Sequence, residues 1–99
     1  MLEITFMATI IEWRGPAPFY FAPVPPEHIP AIRAAAKLAS YGWGVVPVTI
    51  DLGESRFTTS LFPKQGGYLV PLKDAIRRPA GVTVGDSVEI TLTIAPKFP

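Results

Sequence analysis

The chain has 99 residues, of which 48% are hydrophobic, nine are Lys or Arg, eight are Asp or Glu and none is Cys. This length predicts one domain over residues 1–99 that buries about 60–70% of the surface of its unfolded chain. The net charge of +1 excludes a global field that attracts nucleic acid or an anionic membrane. The lack of Cys excludes disulfides and thiolate metal sites.

The N-terminus and the apolar runs argue against targeting and membrane insertion. The first residues include Glu3 and Glu12 and no basic segment, which is not typical of a signal peptide. No apolar run approaches the ~20 residues of a membrane helix. We therefore expect a cytoplasmic protein.

The first half of the chain predicts two strands and the main helix. Residues 2–10 alternate between apolar and polar side chains, which indicates a strand. The aromatic run from Phe19 to Pro23 predicts a second strand that pairs back to the first. A helix is expected from near Glu27 or His28 to about Ser40, because Pro30 is tolerated only within a first turn. Its inner stripe is Ile29, Ile32, Ala36 and Ala39, and Gly42 is its expected cap.

The second half of the chain again contains segments in which apolar and polar side chains alternate, and these predict further strands. Residues 45–52 predict a strand that is an edge or begins at Pro47, since proline cannot donate to a ladder. A hairpin turn at Gly53-Glu54 precedes a returning strand over residues 55–62, and residues 68–70 form a short strand. A short helix follows, with Leu72, Ala75 and Ile76 facing the core and Gly81 as its stop. Gly85-Asp86 then predicts a turn into a strand with Val88, Ile90, Leu92 and Ile94 on one face.

These elements predict an all-β fold. About six short strands with close turn signals favour a small closed or nearly closed barrel, with one main flanking helix and one short helix. The predicted core is Ile4, Phe6, Ile50, Phe57, Leu61, Val88, Ile90 and Leu92.

Three motifs run in order along nearly the whole chain. They are Y-F-A-P-V-P-P-E at residues 20–27, F-T-T-S-L-F-P at residues 57–63 followed by Gly66-Gly67, and P-L-K-D-A-I-R at residues 71–77 followed by G-V-T-V-G-D-S-V at residues 81–88. The chain thereby resembles a prokaryotic domain-of-unknown-function family, number nineteen-oh-five. Its members look like small β-barrels, sometimes joined to a domain associated with bacteriocin protection or outer-membrane porin. The resemblance implies the barrel and no catalytic residues. Arg78-Pro79-Ala80 departs from the family pattern, so we expect the short helix to end early.

A second resemblance covers only residues 71–90. This segment is similar to the swapped-hairpin regulators of the AbrB and antitoxin type, whose unit is about half this length and obligately dimeric. Residues 1–67 have no counterpart there. We interpret the likeness as a shared strand–helix–turn–strand device rather than a shared function.

Two groups of side chains are candidate binding residues. Trp13, Arg14, Phe19 and Tyr20 crowd one strand end, a set that is typical of binding surfaces and also of core or rim packing. Lys64, Lys73, Arg77 and Arg78, with Arg56 nearby, form either a modest basic patch or a solvated face. The candidate site residues are Trp13, Arg14, Tyr20, Arg56, Lys64, Lys73 and Arg77.

No motif indicates catalysis or a cofactor. His28 is the single histidine and lacks a Ser or Cys nucleophile in any known spacing, so a surface position is expected. No His or carboxylate cluster has the spacing of metal ligands. Asp86 is expected to act in its turn.

We therefore expect a non-enzymatic binding or interaction module whose barrel mouth or aromatic rim contacts an unknown small molecule or protein. The alternative is a nucleic-acid-binding regulator of the swapped-hairpin type, and a further alternative is an accessory subunit or domain of an enzyme. We expect a monomer or weak homo-oligomer, no cofactor, and only weak, non-specific binding to DNA.

Overall fold

The computed structural model describes residues 1–13, 19–39 and 46–95. These residues form eight strands, two α-helices and one 3₁₀ turn. The strands are β1 (Leu2–Thr9), β2 (Ile11–Trp13), β3 (Phe19–Pro23), β4 (Pro47–Leu52), β5 (Ser55–Ser60), β6 (Phe62–Lys64), β7 (Gly67–Leu72) and β8 (Ser87–Ile94). The helices are α1 (Ile29–Ala39), which the 3₁₀ turn Pro26–His28 precedes, and α2 (Asp74–Ala80). The predicted site residue Arg14 and the predicted helix end at Ser40 and Gly42 lie outside the described residues.

The strands pair into two four-stranded antiparallel sheets, in the orders β1-β8-β4-β5 and β2-β3-β7-β6. The chain passes from one sheet to the other through the buried residues Ile10 and Leu61. At these bends the Ile10 amide donates to the Asp86 carbonyl and the Leu61 amide to the Val46 carbonyl. The mainly-β prediction is confirmed. The closed or nearly closed barrel is not confirmed, because the described strands form two separate sheets and neither closes on itself.

The core lies on the inner faces of the sheets. Ile50, Ile90 and Leu92, from the two inner strands of the first sheet, are 0% exposed. β4 begins at Pro47, as predicted, and is an inner strand because both β5 and β8 pair with it. Pro47 itself lies outside the pairing with β8, which begins at Thr49. The predicted core residues Phe6, Ile50, Leu61, Ile90 and Leu92 are buried, and Ile4, Phe57 and Val88 pack against them half-buried.

The core-facing residues predicted for the two helices can be compared with their burial in the structure. Ile29, Ile32 and Ala36 of α1 are buried, as its inner stripe predicts, while the side chain of Ala39 lies outside the described part of the chain. Of the core-facing stripe predicted for α2, Leu72 is buried but belongs to β7, and Ile76 packs half-buried against the core. Ala75 is exposed, so that part of the prediction is wrong. Pro79 lies within the last turn of α2 and does not shorten it before Ala80. Gly81, at φ 69°, ends the helix as expected. Neither described helix is long and apolar enough to cross a membrane.

The turn before β8 depends on a glycine. Gly85 has φ +90°, and its amide donates to the Ile10 carbonyl at 2.9 Å. Asp86 fulfils its expected turn role, since its Oδ2 accepts from the Thr83 amide at 2.9 Å. A side chain at Gly85 would meet open space. Any cost of substitution therefore comes from the backbone conformation alone.

We expect Gly85→Val to lower the free energy of unfolding by about 1–2 kcal/mol, because a β-branched residue is strained at positive φ. Urea denaturation measures the change. Gly67→Ala is the control, since Gly67 has no positive φ and its added Cβ would lie an ordinary 3.6 Å from the Lys64 carbonyl. A Gly85→Val variant as stable as the parent would contradict the strain argument.

Candidate functional site

The outer face of the second sheet is unusually apolar. Directly opposed residues of antiparallel strands point to the same side, so the register defines the members of this face. The opposed pairs are Ile11 with Phe21, Trp13 with Phe19, Phe21 with Pro71, Pro23 with Leu69, Phe62 with Leu69, and Lys64 with Gly67. The alternate residues Ala22, Val70 and Leu72 belong to the core on the other side. We call this outer surface the aromatic face.

Its rings are packed against one another and yet remain open to solvent. Trp13 and Phe62, from the two edge strands, have centroids 5.7 Å apart at 89°. Phe21 lies 5.9 Å from Trp13 and 5.6 Å from Phe62, and is itself only 5% exposed. Trp13 and Phe62 are each 41% exposed, and Phe19 is 59% exposed. The face therefore has a buried base and three accessible rings in fixed relative positions.

Lys64 supplies the charge of the aromatic face. Its Nζ lies 3.7 Å from the centroid of the Trp13 ring, within the range of a cation–π contact. No other member of the face in the strand pairs described above is charged. Lys64 forms no ion pair with a carboxylate of the described residues. The ammonium is held at the edge of an apolar surface with donors available for a partner.

Tyr20 and Arg77 meet on the opposite side of the same sheet. The Arg77 guanidinium stacks 3.9 Å from the centroid of the Tyr20 ring. It donates to the Val82 carbonyl and to Asp74, each at 3.1 Å, and its side chain is 12% exposed. A hydrogen bond to Glu12 raises the pKa of the Tyr20 phenol. This arrangement joins α2 to β3 and has the geometry of a structural clamp.

The remaining predicted residues lie apart from that clamp. Arg56 pairs with Asp51 at 2.7 Å on the outer face of the first sheet, and this hydrogen bond raises the Arg56 pKa further. Lys73 is exposed at the N-cap position of α2. Of the seven candidate residues, the structure brings Trp13 together with Lys64, and Tyr20 together with Arg77.

Phe21, Phe62 and Leu69 are members of the aromatic face that the sequence did not indicate. Phe62 directly follows the bend at Leu61, so the alternation of β5 does not predict its orientation. The hairpin from Lys64 to Gly67 carries the useful signal. Its central residues Gln65 and Gly66 have φ +50° and +79°, and this tight turn fixes the register that opposes Phe62 to Leu69.

Two other regions, an open cleft and the surroundings of His28, have fewer features of a binding site. An open cleft of about 710 Å³ lies between the β4–β5 hairpin and the end of α2, with Asp51, Glu54 and Glu89 in its walls. No group of three His, Cys, Asp or Glu that could hold a metal occurs in the described ranges. His28 is half-buried, with its ring 5.9 Å from that of Phe6, so packing accounts for its position.

Comparison with known proteins identifies a family relationship. Residues 6–92 match the model of a family described as "Domain of unknown function (DUF1905)". No curated protein matches the chain.

Proposed function

The chain belongs to the DUF1905 family, and we propose that in this member the aromatic face is the docking surface of a protein-interaction module. The observation that carries the proposal is the exposure of Trp13, Phe19 and Phe62 on one side of one sheet. Contiguous apolar surface of this kind marks interaction sites on soluble domains, and aromatic side chains dominate the energetics of such sites.

The ring contacts support docking rather than simple exposure. Phe21 is 5% exposed and its ring contacts those of Trp13, Phe19 and Phe62. Leu69 is 7% exposed and lies directly opposite Phe62 in the sheet. The edge-on contact between Trp13 and Phe62 restricts both side chains before any partner arrives. When a partner covers the face, the side chains of this protein therefore lose little further conformational entropy, which favours affinity.

The occupant that fits best is a segment of another protein with apolar side chains and a carboxylate. The apolar side chains would cover the three rings, and the carboxylate would pair with Lys64, which has no ion-pair partner among the described carboxylates. Charge complementarity of this type orients a partner and suppresses incorrect ones.

A second copy of the chain fits this face less well. In a two-fold symmetric pair the same patch contacts itself, so two Lys64 ammonium groups would meet a face without a carboxylate. Nucleic acid also fits less well, because its binding needs several phosphate contacts and this face carries one cation.

A random peptide library displayed on phage tests the proposal. We expect enriched peptides that combine an aromatic or aliphatic side chain with Asp or Glu, and affinities at least about tenfold weaker for Phe19→Ser. Met7→Ser is the matched control, because Met7 is 56% exposed on the outer face of the first sheet. An equal loss in both variants, or the absence of any enriched peptide, would contradict the proposal.

The same variants separate the alternatives. A dimer in sedimentation that Phe19→Ser dissociates would make the aromatic face a contact between copies of this chain. Submicromolar affinity for duplex DNA at about 150 mM salt with a steep salt dependence would favour the regulator. We expect neither result.

A further inference from the structure

A small pocket adjoins the aromatic face at the β6–β7 hairpin. Arg33 reaches this hairpin from α1, and its Nη2 donates to the Gly66 carbonyl at 2.5 Å. Together with Lys64, the turn residues and the flanking side chains, Arg33 lines a pocket of about 220 Å³. Helix α1 and the second sheet thus contribute one cation each to the same small cavity.

The charge of this pocket is positive and uncompensated by the described residues. The pocket is lined by Arg33, Pro63, Lys64, Gln65, Gly66, Gly67 and Tyr68. This lining contains two cations and no carboxylate. Neither cation forms an ion pair with a carboxylate of the described residues. The guanidinium uses Nη2 on Gly66, and a guanidinium has five N–H donors in a planar fork. Donors therefore remain for an anionic group.

Lys64 belongs to both surfaces. It lines the pocket, and its Nζ lies 3.7 Å from the Trp13 ring centroid. An anion held by Arg33 and Lys64 would consequently lie beside the aromatic face, close enough to belong to the same segment as an apolar side chain on the rings.

We infer that this pocket receives a carboxylate of the docked segment, so that the module selects apolar segments with an adjacent Asp or Glu. The inference rests on the proposed function and adds Arg33 as a specificity-determining residue. The planar fork of an arginine suits a carboxylate, and a lysine beside it contributes a charge-assisted hydrogen bond.

The test is a double-mutant cycle with a peptide enriched from the library, measured by calorimetry. One peptide keeps its acidic residue, and a second has Gln or Asn in its place. For the parent protein we expect the amide peptide to bind about tenfold more weakly. For Arg33→Gln combined with Lys64→Met we expect a difference below about twofold between the two peptides.

Lys37→Gln is the matched control. Lys37 is exposed on α1, one helical turn beyond Arg33, and does not line the pocket. The Lys37→Gln substitution removes one positive charge, as each of the two pocket substitutions does. We expect this variant to keep the preference of the parent protein for the acidic peptide. Thermal unfolding of every variant confirms that the fold is kept.

The outcomes separate this inference from the proposed function. Equal binding of both peptides to the parent protein, with the effect of Phe19→Ser intact, overturns the carboxylate pocket and leaves the aromatic face in place. Loss of the Phe19→Ser effect overturns both. A phosphoserine peptide that binds more than about tenfold more tightly than the carboxylate peptide overturns the assignment of a carboxylate.

Discussion

Replacing Ile90 by Ala is expected to lower the free energy of unfolding by about 2–5 kcal/mol, because the substitution removes three buried side-chain carbons from the core. Ile90 is 0% exposed in the strand between β1 and β4. It is opposed to Phe6 on one side and Leu52 on the other. Its truncation leaves a cavity between inner strands that are bonded on both sides and cannot easily collapse.

Denaturation in guanidinium chloride measures this loss. Met7→Ala is the control, because Met7 is 56% exposed on the outer face of β1 and its truncation removes no core contact. We expect the control to change stability by less than about 0.5 kcal/mol. A similarly small change for Ile90→Ala would show that the face of β8 is reversed.

Arg77→Met is expected to lower the free energy of unfolding by about 2–3 kcal/mol, because it removes hydrogen bonds made by a charged group in a largely buried position. The substitution keeps an unbranched apolar stem and removes the guanidinium. The lost contacts are the stacking on Tyr20 and the hydrogen bonds to the Val82 carbonyl and Asp74.

The neighbouring arginine provides the control for this prediction. Arg78 is 73% exposed and lies 3.6 Å from Asp74, so Arg78→Met should change stability by less than about 0.5 kcal/mol. Arg77→Lys should not restore the parent value, because an ammonium cannot stack and donate in the same geometry. Equal effects of the two methionine variants in urea would show that Arg77 is no structural clamp.

The strands of the fold could be predicted because their inner faces are periodic. Val88, Ile90, Leu92 and Ile94 alternate with polar residues, and β8 has this alternation over its whole length. The division into two sheets could not be predicted. Ile10 extends the alternation of β1, and Leu61 extends that of β5, although the chain changes sheet at both residues. Apolar period two indicates which side is buried and does not indicate the strand neighbours.

The candidate site was predictable only where its residues are close in sequence. Trp13 and Phe19 are close in sequence, so their proximity could be expected, and they are directly opposed. Phe62 and Lys64 join them through the order of the strands β2-β3-β7-β6, which is a property of the whole fold. Tyr20 differs from Trp13 and Phe19 because adjacent residues of a strand point to opposite sides. Arg33 reaches the hairpin from a helix about thirty residues earlier in the chain.

A crystal structure of the chain in complex with an enriched peptide tests the central claim most directly. The account predicts an apolar peptide side chain over Trp13, Phe19 and Phe62, with the peptide carboxylate within hydrogen-bond distance of Lys64 and Arg33. A peptide seated in the cleft between the β4–β5 hairpin and α2, with the three rings still exposed to solvent, would contradict it.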